Sequence, residues 1–326
     1  MRKLLSLNSP LRLLTLSMAL AVVGLTACEE GEEIDLGALA VEVIEVADVG
    51  FESPRAVIHD PVADVYLVSN ISGEPTEDND AGFISRITPD GEVEELVWIQ
   101  TVGPQSRLNA PKGMAIAGDF LFVVDIQCIR MYDRESGVMD EQRCLDDVTD
   151  LTGLDAGPEG SLFVTDSGLT YANGAPTRTG TDAVYRLAVE DFSRGATLAS
   201  GEELGNPMGI AVGSRGIFTV TRSTGEVIRL TPEGDRTDLL SQPDRQFEGV
   251  AFLADGGFAY SSSSDSAIYL VDGTGQLHTL LEDVDSPGDI GFDETRNRLL
   301  VPLTNENRLL IIDLHDDLDL DMAMAR

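Results

Sequence analysis

The sequence predicts an all-β protein built as a ring of six four-stranded sheets, and three observations predict it. A short phrase recurs six times, at residues 53–60 (SPRAVIHD), 110–118 (APKGMAIAG), 149–157 (TDLTGLDAG), 206–213 (NPMGIAVG), 246–256 (QFEGVAFLADG) and 286–293 (SPGDIGFD). Each copy leads into a second apolar run, such as DVYLVSN or SLFVTD, and then a third, such as GFISRITPDG or EVIRLTPEG. Glycine is frequent, 32 in all, and falls where hairpins must turn, as in Pro89-Asp90-Gly91 and Pro232-Glu233-Gly234. Strong helical periodicity is missing from this span. One small antiparallel sheet per copy, repeated at steps of roughly 40 to 58 residues around an axis, makes a six-bladed β-propeller.

The elements follow in order. Residues 1–27 read as an export signal, with Arg2, Lys3 and Arg12 ahead of an apolar stretch at 13–25. That stretch falls short of the ~20 residues that a membrane-spanning helix needs. The ending LTAC at 25–28 resembles a bacterial lipobox, in which Cys28 becomes the first mature residue and carries lipid. Residues 28–38 then form an acidic tether, 39–314 the propeller and 315–326 an acidic tail. The expected location is the bacterial cell envelope, at the periplasmic face or the outer membrane. The expected partners are a membrane, through the lipid on Cys28, and a small ligand or an envelope protein.

The sixth copy supplies only three strands before the acidic tail. The alternating stretch LAVEVIEV at 39–46 is therefore expected to become the outer strand of the last blade, closing the ring and removing exposed edges. Cys128 and Cys144 flank a turn centred near Ser136, which sets them opposite each other on adjacent strands. In an oxidising compartment that pairing predicts a disulfide.

Acids number 57 against 22 bases, a net charge of −35, and the lysines are Lys3 and Lys112 alone. Such a surface repels phosphate backbones, which excludes a nucleic-acid role.

Function in a propeller is expected at the tunnel mouth. Aligning the six phrases places Arg55, Lys112, Asp150, Met208, Glu248 and Gly288 at one equivalent position, with Asp289 directly after the last. A one-residue slip in the third copy would put Thr152 or Gly153 in place of Asp150. The second strands end in Asn70, Asp125, Asp166 and Arg222. The two aspartates among them either face a ligand or accept hydrogen bonds from backbone amides of the neighbouring turn. Long loops at 72–82 and 167–182 are placed to cover one face of the wheel.

The phrase APKGMAIAGDFLFVVDI, with GFISRITPDG before it, resembles the senescence-marker-protein, gluconolactonase and luciferin-regenerating-enzyme-like propellers. The broader NHL-type propellers share the proline-glycine opening. The resemblance implies a divalent cation, such as calcium, at the tunnel mouth. Its ligands would be a glutamate in the first blade, asparagines in the third and fourth, and an aspartate in the fifth. Here those positions carry Arg55, Asp150, Met208 and Glu248, so Asp150 and Glu248 are the candidate metal ligands. A guanidinium has no lone pair to offer, and a thioether suits neither calcium nor magnesium.

His59 (in an expected turn), His278 (in an outer strand) and His315 (in the tail) adjoin no nucleophile motif, and no phosphate-binding glycine loop is present. Two readings follow. The first is a lipid-anchored binding propeller for a ligand or protein. The second is a lactonase-type hydrolase with a degenerate metal site, in which the metal polarises a carbonyl and a carboxylate activates water. The orientation of Arg55 and Lys112 separates them: turned into the tunnel, they favour an anion over a cation.

Overall fold

The computed structural model describes residues 42–104, 106–191 and 194–314. The signal, Cys28, the tether and the acidic tail lie outside the described residues, as do 39–41 of the expected closing strand. The rest is a ring of six four-stranded antiparallel sheets. Blade 1 runs Pro54–Asp60, Val65–Asn70, Phe83–Ile87 and Val93–Gln100, counted from the axis outward. Blades 2 to 5 repeat the order, starting from Pro111–Ala117, Leu151–Gly157, Pro207–Gly213 and Phe247–Phe252. Blade 6 takes Gly291–Asp293, Arg298–Leu303 and Arg308–Asp313 from the C-terminal end and Glu42–Val46 as its outer strand. Val43 lies opposite Ile312, and Val46 opposite Leu309. The ring therefore closes as the alternation in the sequence predicts.

The core is not one mass but six apolar layers, one in each gap between neighbouring blades. Leu67, Ile84 and Ile99 of blade 1 meet Met114, Leu121 and Val123 of blade 2. The closing layer sets Val46, Leu300 and Ile311 of blade 6 against Val57, Tyr66 and Val68 of blade 1. A blade's second strand is covered on both faces, and Val65–Asn70 and Ser161–Asp166 are buried throughout. The alternating apolar runs expected of these strands are therefore apolar at successive positions in their middle, Val65 to Val68 and Leu162 to Val164, as burial on both faces requires. Outer strands face water: Met139–Cys144 is mostly exposed and polar, the composition that keeps an edge from pairing with another chain. Cys128 pairs with Cys144 in register, and the two form a disulfide.

Acidic residues in inner-strand turns pin blade to blade. Asp60 accepts from Val62 N and Ala63 N of its own turn and pairs with Arg134 of blade 2. Asp293 of blade 6 accepts from Thr295 N at 2.9 Å and from the Tyr66 hydroxyl of blade 1 at 2.9 Å. His59 is not in a turn but on the inner strand of blade 1, its Nδ1 3.2 Å from Asp293. His59 and Asp293 thus hold the joint where the ring closes.

Candidate functional site

Strand register decides which residue of each phrase faces the tunnel. The inner strands of blades 1 to 5 first pair at Pro54–Asn70, Pro111–Asp125, Leu151–Asp166, Pro207–Thr221 and Phe247–Ser262, and each then shifts register. The bulge re-aims the next side chain, as bulges beside functional sites do. Those next residues are Arg55, Lys112, Thr152, Met208 and Glu248. Blade 6 follows its Pro287–Leu303 bridge with Gly288. The third position is therefore Thr152 and not Asp150. Asp150 precedes its strand, where its amide donates to Asp166, and its side chain still reaches the same cleft.

One residue further along, the six inner strands converge on Ala56, Gly113, Gly153, Gly209, Gly249 and Asp289. A Cβ on Gly153 would lie 2.4 Å from the Met208 carbonyl oxygen, and one on Gly113 2.5 Å from the Thr152 carbonyl oxygen. Only residues without side chains allow backbones this close. This constriction divides the tunnel into a mouth cleft of about 230 Å³ and a cavity of about 430 Å³ on the opposite face.

The mouth cleft is lined by Arg55, Lys112, Asp150, Thr152, Met208, Arg222, Glu248 and Ser263. Lys112 Nζ lies 2.8 Å from Asp150 Oδ1, and both side chains are almost fully buried. Glu248 takes Arg55 at 2.8 Å on Oε2, Arg222 at 2.8 Å on Oε1, and the Ser263 hydroxyl at 2.7 Å. Burial pushes the Asp150 carboxyl up, against the pull of Lys112. Burial acts on Glu248 in the same direction, yet Arg222 and Arg55 outweigh it and hold Glu248 below the usual carboxylate range. Two guanidiniums on one carboxylate, beside one neutralised lysine, leave one surplus positive charge among these floor residues, while Glu74 of the blade 1 loop adds a carboxylate elsewhere in the lining.

The two long loops do cover this face. Residues 167–182 contain a hairpin, Leu169–Ala172 paired with Ala175–Arg178. It reaches the blade 1 loop, where Tyr171 N donates to Thr76 Oγ1 at 3.3 Å and Gly174 N to Glu74 Oε2 at 3.1 Å. Tyr171 hangs into the cleft, and burial pushes its phenol up to about 12.

Of the other sequence candidates, Asn70, Asp125 and Asp166 are not brought to the cleft. Asn70 accepts from Glu52 N and donates to Val68 O. Asp125 accepts from Ala110 N at 2.7 Å and from Arg130 Nε at 2.7 Å. Asp166 accepts from Asp150 N and Gly168 N. All three hold the backbone of the interblade turns. Asp289 is not at the mouth either. It pairs with Ala56 in a parallel bridge, one residue past the mouth position, and lines the opposite cavity. Sequence reasoning missed Ser263 and Tyr171; neither carries a repeat signal, since one follows a strand and the other sits in a blade-specific hairpin.

The donor set does not fit a hard dication. Such an ion needs about six oxygens, and here each candidate carboxylate is held by basic side chains while Arg55 and Met208 occupy two of the positions. Among the described residues no group of three or more His, Cys, Asp or Glu side chains is arranged to hold a metal.

No family model matches the sequence, and no curated protein does. Solved structures do match in shape. A gluconolactonase from Xanthomonas campestris is 16% identical, covers 89% of this chain and 96% of its own, and has a TM-score of 0.64. Virginiamycin B lyase from Staphylococcus aureus is 13% identical, covers 84% of this chain and 100% of its own, with a TM-score of 0.59. A nidogen/laminin complex gives 19% identity over 70% of this chain and 80% of that one, with a TM-score of 0.53. A gluconolactonase, a lyase and a chain of a nidogen/laminin complex share the shape, so the likeness establishes the propeller fold and leaves the activity to the site.

Proposed function

We propose that this protein is a lipid-anchored binding propeller of the bacterial cell envelope that holds a small anionic ligand at its tunnel mouth. The observation that carries the reading is the pairing of Arg55 and Arg222 with the single carboxylate of Glu248. The surplus charge sits in a cleft floored by buried Met208, where an oxyanion gains more from a guanidinium than it would in open water. The Tyr171 phenol above it supplies a further donor. The LTAC sequence ending at Cys28 supports the lipid anchor.

A second reading, a gluconolactonase-type hydrolase with a degenerate metal site, is favoured by one observation: Asp150 and Glu248 face the same cleft. One calorimetric experiment on the intact protein separates the two. Acetate is expected to bind the wild type and to lose about tenfold in affinity in Arg55→Gln, about 1.4 kcal/mol. Calcium binding that disappears in Glu248→Ala would instead restore the hydrolase reading and overturn the anion site.

A further inference from the structure

We propose that the ligand is elongated and carries a second oxyanion group, bound in a depression beside the mouth that is lined by Arg178, Arg222 and Arg245. This inference rests on the anion-binding reading of the mouth and extends it to the class of ligand.

The depression measures about 390 Å³ and shares Arg222 with the mouth cleft. Its walls come from three places. Leu169, Pro176 and Arg178 belong to the hairpin, Arg222 and Ser223 to the end of the second strand of blade 4, and residues 244–246 to the connection into blade 5. The hairpin therefore stands between two cavities. Tyr171 and Gly174 line the first, and Leu169, Pro176 and Arg178 line the second.

Three arginines in one depression run against the composition of the chain, in which acids outnumber bases 57 to 22. Their geometry is that of donors held ready. Arg178 engages the protein through one terminal nitrogen, to Asp182 Oδ2 at 3.3 Å and Glu202 O at 2.8 Å. Arg245 also uses one, to Asp265 and the Tyr269 hydroxyl, with its guanidinium carbon 5.3 Å from the Tyr269 ring centre. Arg222 uses one for Glu248. A guanidinium carries five N–H donors in a rigid fork, so each side chain is anchored on one side and offers the others outward. Their side chains are 42%, 36% and 24% exposed for Arg178, Arg245 and Arg222. Asp244 is the one carboxylate in the lining and opposes an anion there, and Arg178 and Arg245 are already ion-paired with Asp182 and Asp265, so recognition rests on their outward N–H groups and not on a surplus of positive charge.

Arg222 joins the two cavities, so one molecule with an oxyanion at each end engages both. Its first group sits at Arg55 and Arg222 and its second at Arg178 and Arg245. The chemistry recognised is a carboxylate or a phosphate, since the guanidinium fork takes either in bidentate fashion.

The test is a calorimetric series on the intact protein with straight-chain α,ω-dicarboxylates of increasing length, each compared with its monomethyl ester. The expected result is a length at which the diacid binds about tenfold tighter than its ester, the worth of one further charge-assisted pair. That advantage is expected to shrink in Arg178→Gln and in Arg245→Gln, and to grow in Asp244→Asn, a substitution on an exposed loop. A diphosphate series run alongside distinguishes the two oxyanions. A diacid advantage that is absent at every length, or unchanged in all three variants, overturns the second subsite while leaving the mouth site standing. Loss of binding by the esters as well as the diacids in wild type would instead remove the anion site on which it rests.

Discussion

Asp289 sits where six inner strands converge, and its carboxylate fills the space that glycines leave around it. A Cβ on Gly209 would lie 2.5 Å from Asp289 Oδ1. Burial pushes this carboxyl up to about 8. Arg55 pulls against the shift, while Asp155 and Glu248 add to it and a hydrogen bond from Val250 N opposes it. Asp155, facing the same cavity, is pushed by burial to about 7, against hydrogen bonds from Val212 N and Ala156 N. An acid that holds its proton more tightly folded than unfolded takes up protons on folding. Its contribution makes stability fall as pH rises from about 4, the unfolded value, through the folded pKa values. Below about pH 4 both states are protonated and the effect vanishes. The expected outcome is that Asp289→Asn flattens the loss of urea resistance between about pH 5 and about pH 9. Identical pH slopes in variant and wild type would show that Asp289 titrates normally. The phrase alignment brought Asp289 to notice, but its side of the constriction depends on a one-residue register difference. Alternation along a strand reverses direction with every residue, so no sequence pattern short of the pairing itself could settle it.

At the level of elements, the closing strand and the disulfide make separate predictions. Glu42–Val46 contributes Val43 and Val46 to two different interblade layers. Val43→Ala with Val46→Ala deletes about two methylene equivalents at each site, about 3 kcal/mol together. Urea unfolding of the double variant should show that loss, and a loss under about 1 kcal/mol would mean that the strand is dispensable. Cys128 and Cys144 enclose a sequence separation of 16 residues. Cys144→Ser is expected to cost about 3 kcal/mol by chain entropy, read as a lower denaturant midpoint in oxidising buffer. Both elements were legible in the sequence: the cysteines because they flank one turn, and the closing strand because the sixth copy lacks a fourth strand while residues 39–46 alternate. The hairpin over the mouth was legible as a long loop at 167–182 and not as a pair of strands. Its short segments include exposed Ala175–Arg178 and show no apolar alternation to mark them.

At the scale of the molecule, charge dominates. A net charge of −35 on one chain opposes compaction through self-repulsion, and that repulsion is screened over about 10 Å at 0.1 M salt. The buried pairs at the tunnel mouth are screened much less. The thermal midpoint is therefore expected to rise as sodium chloride increases from low ionic strength to about 0.5 M. A midpoint that falls over this range would assign more of the stability to exposed ion pairs such as Arg107 with Asp78.

By itself, the sequence determined the number of blades, the strand that closes them, the facing cysteines and the set of residues near the axis. The blade number and the axial set follow from a phrase that recurs six times, the closing strand from the fourth strand that the sixth copy lacks, and the facing cysteines from a single turn between them. Tertiary structure alone decided that Thr152 replaces Asp150 in the ring, that Asp289 lies beyond the constriction, and that Arg222 and Arg55 converge on Glu248. Those outcomes depend on bulges and on side chains from different blades meeting across the axis. Arg55 and Glu248 are 193 residues apart in the chain, and no local pattern encodes a meeting at that separation.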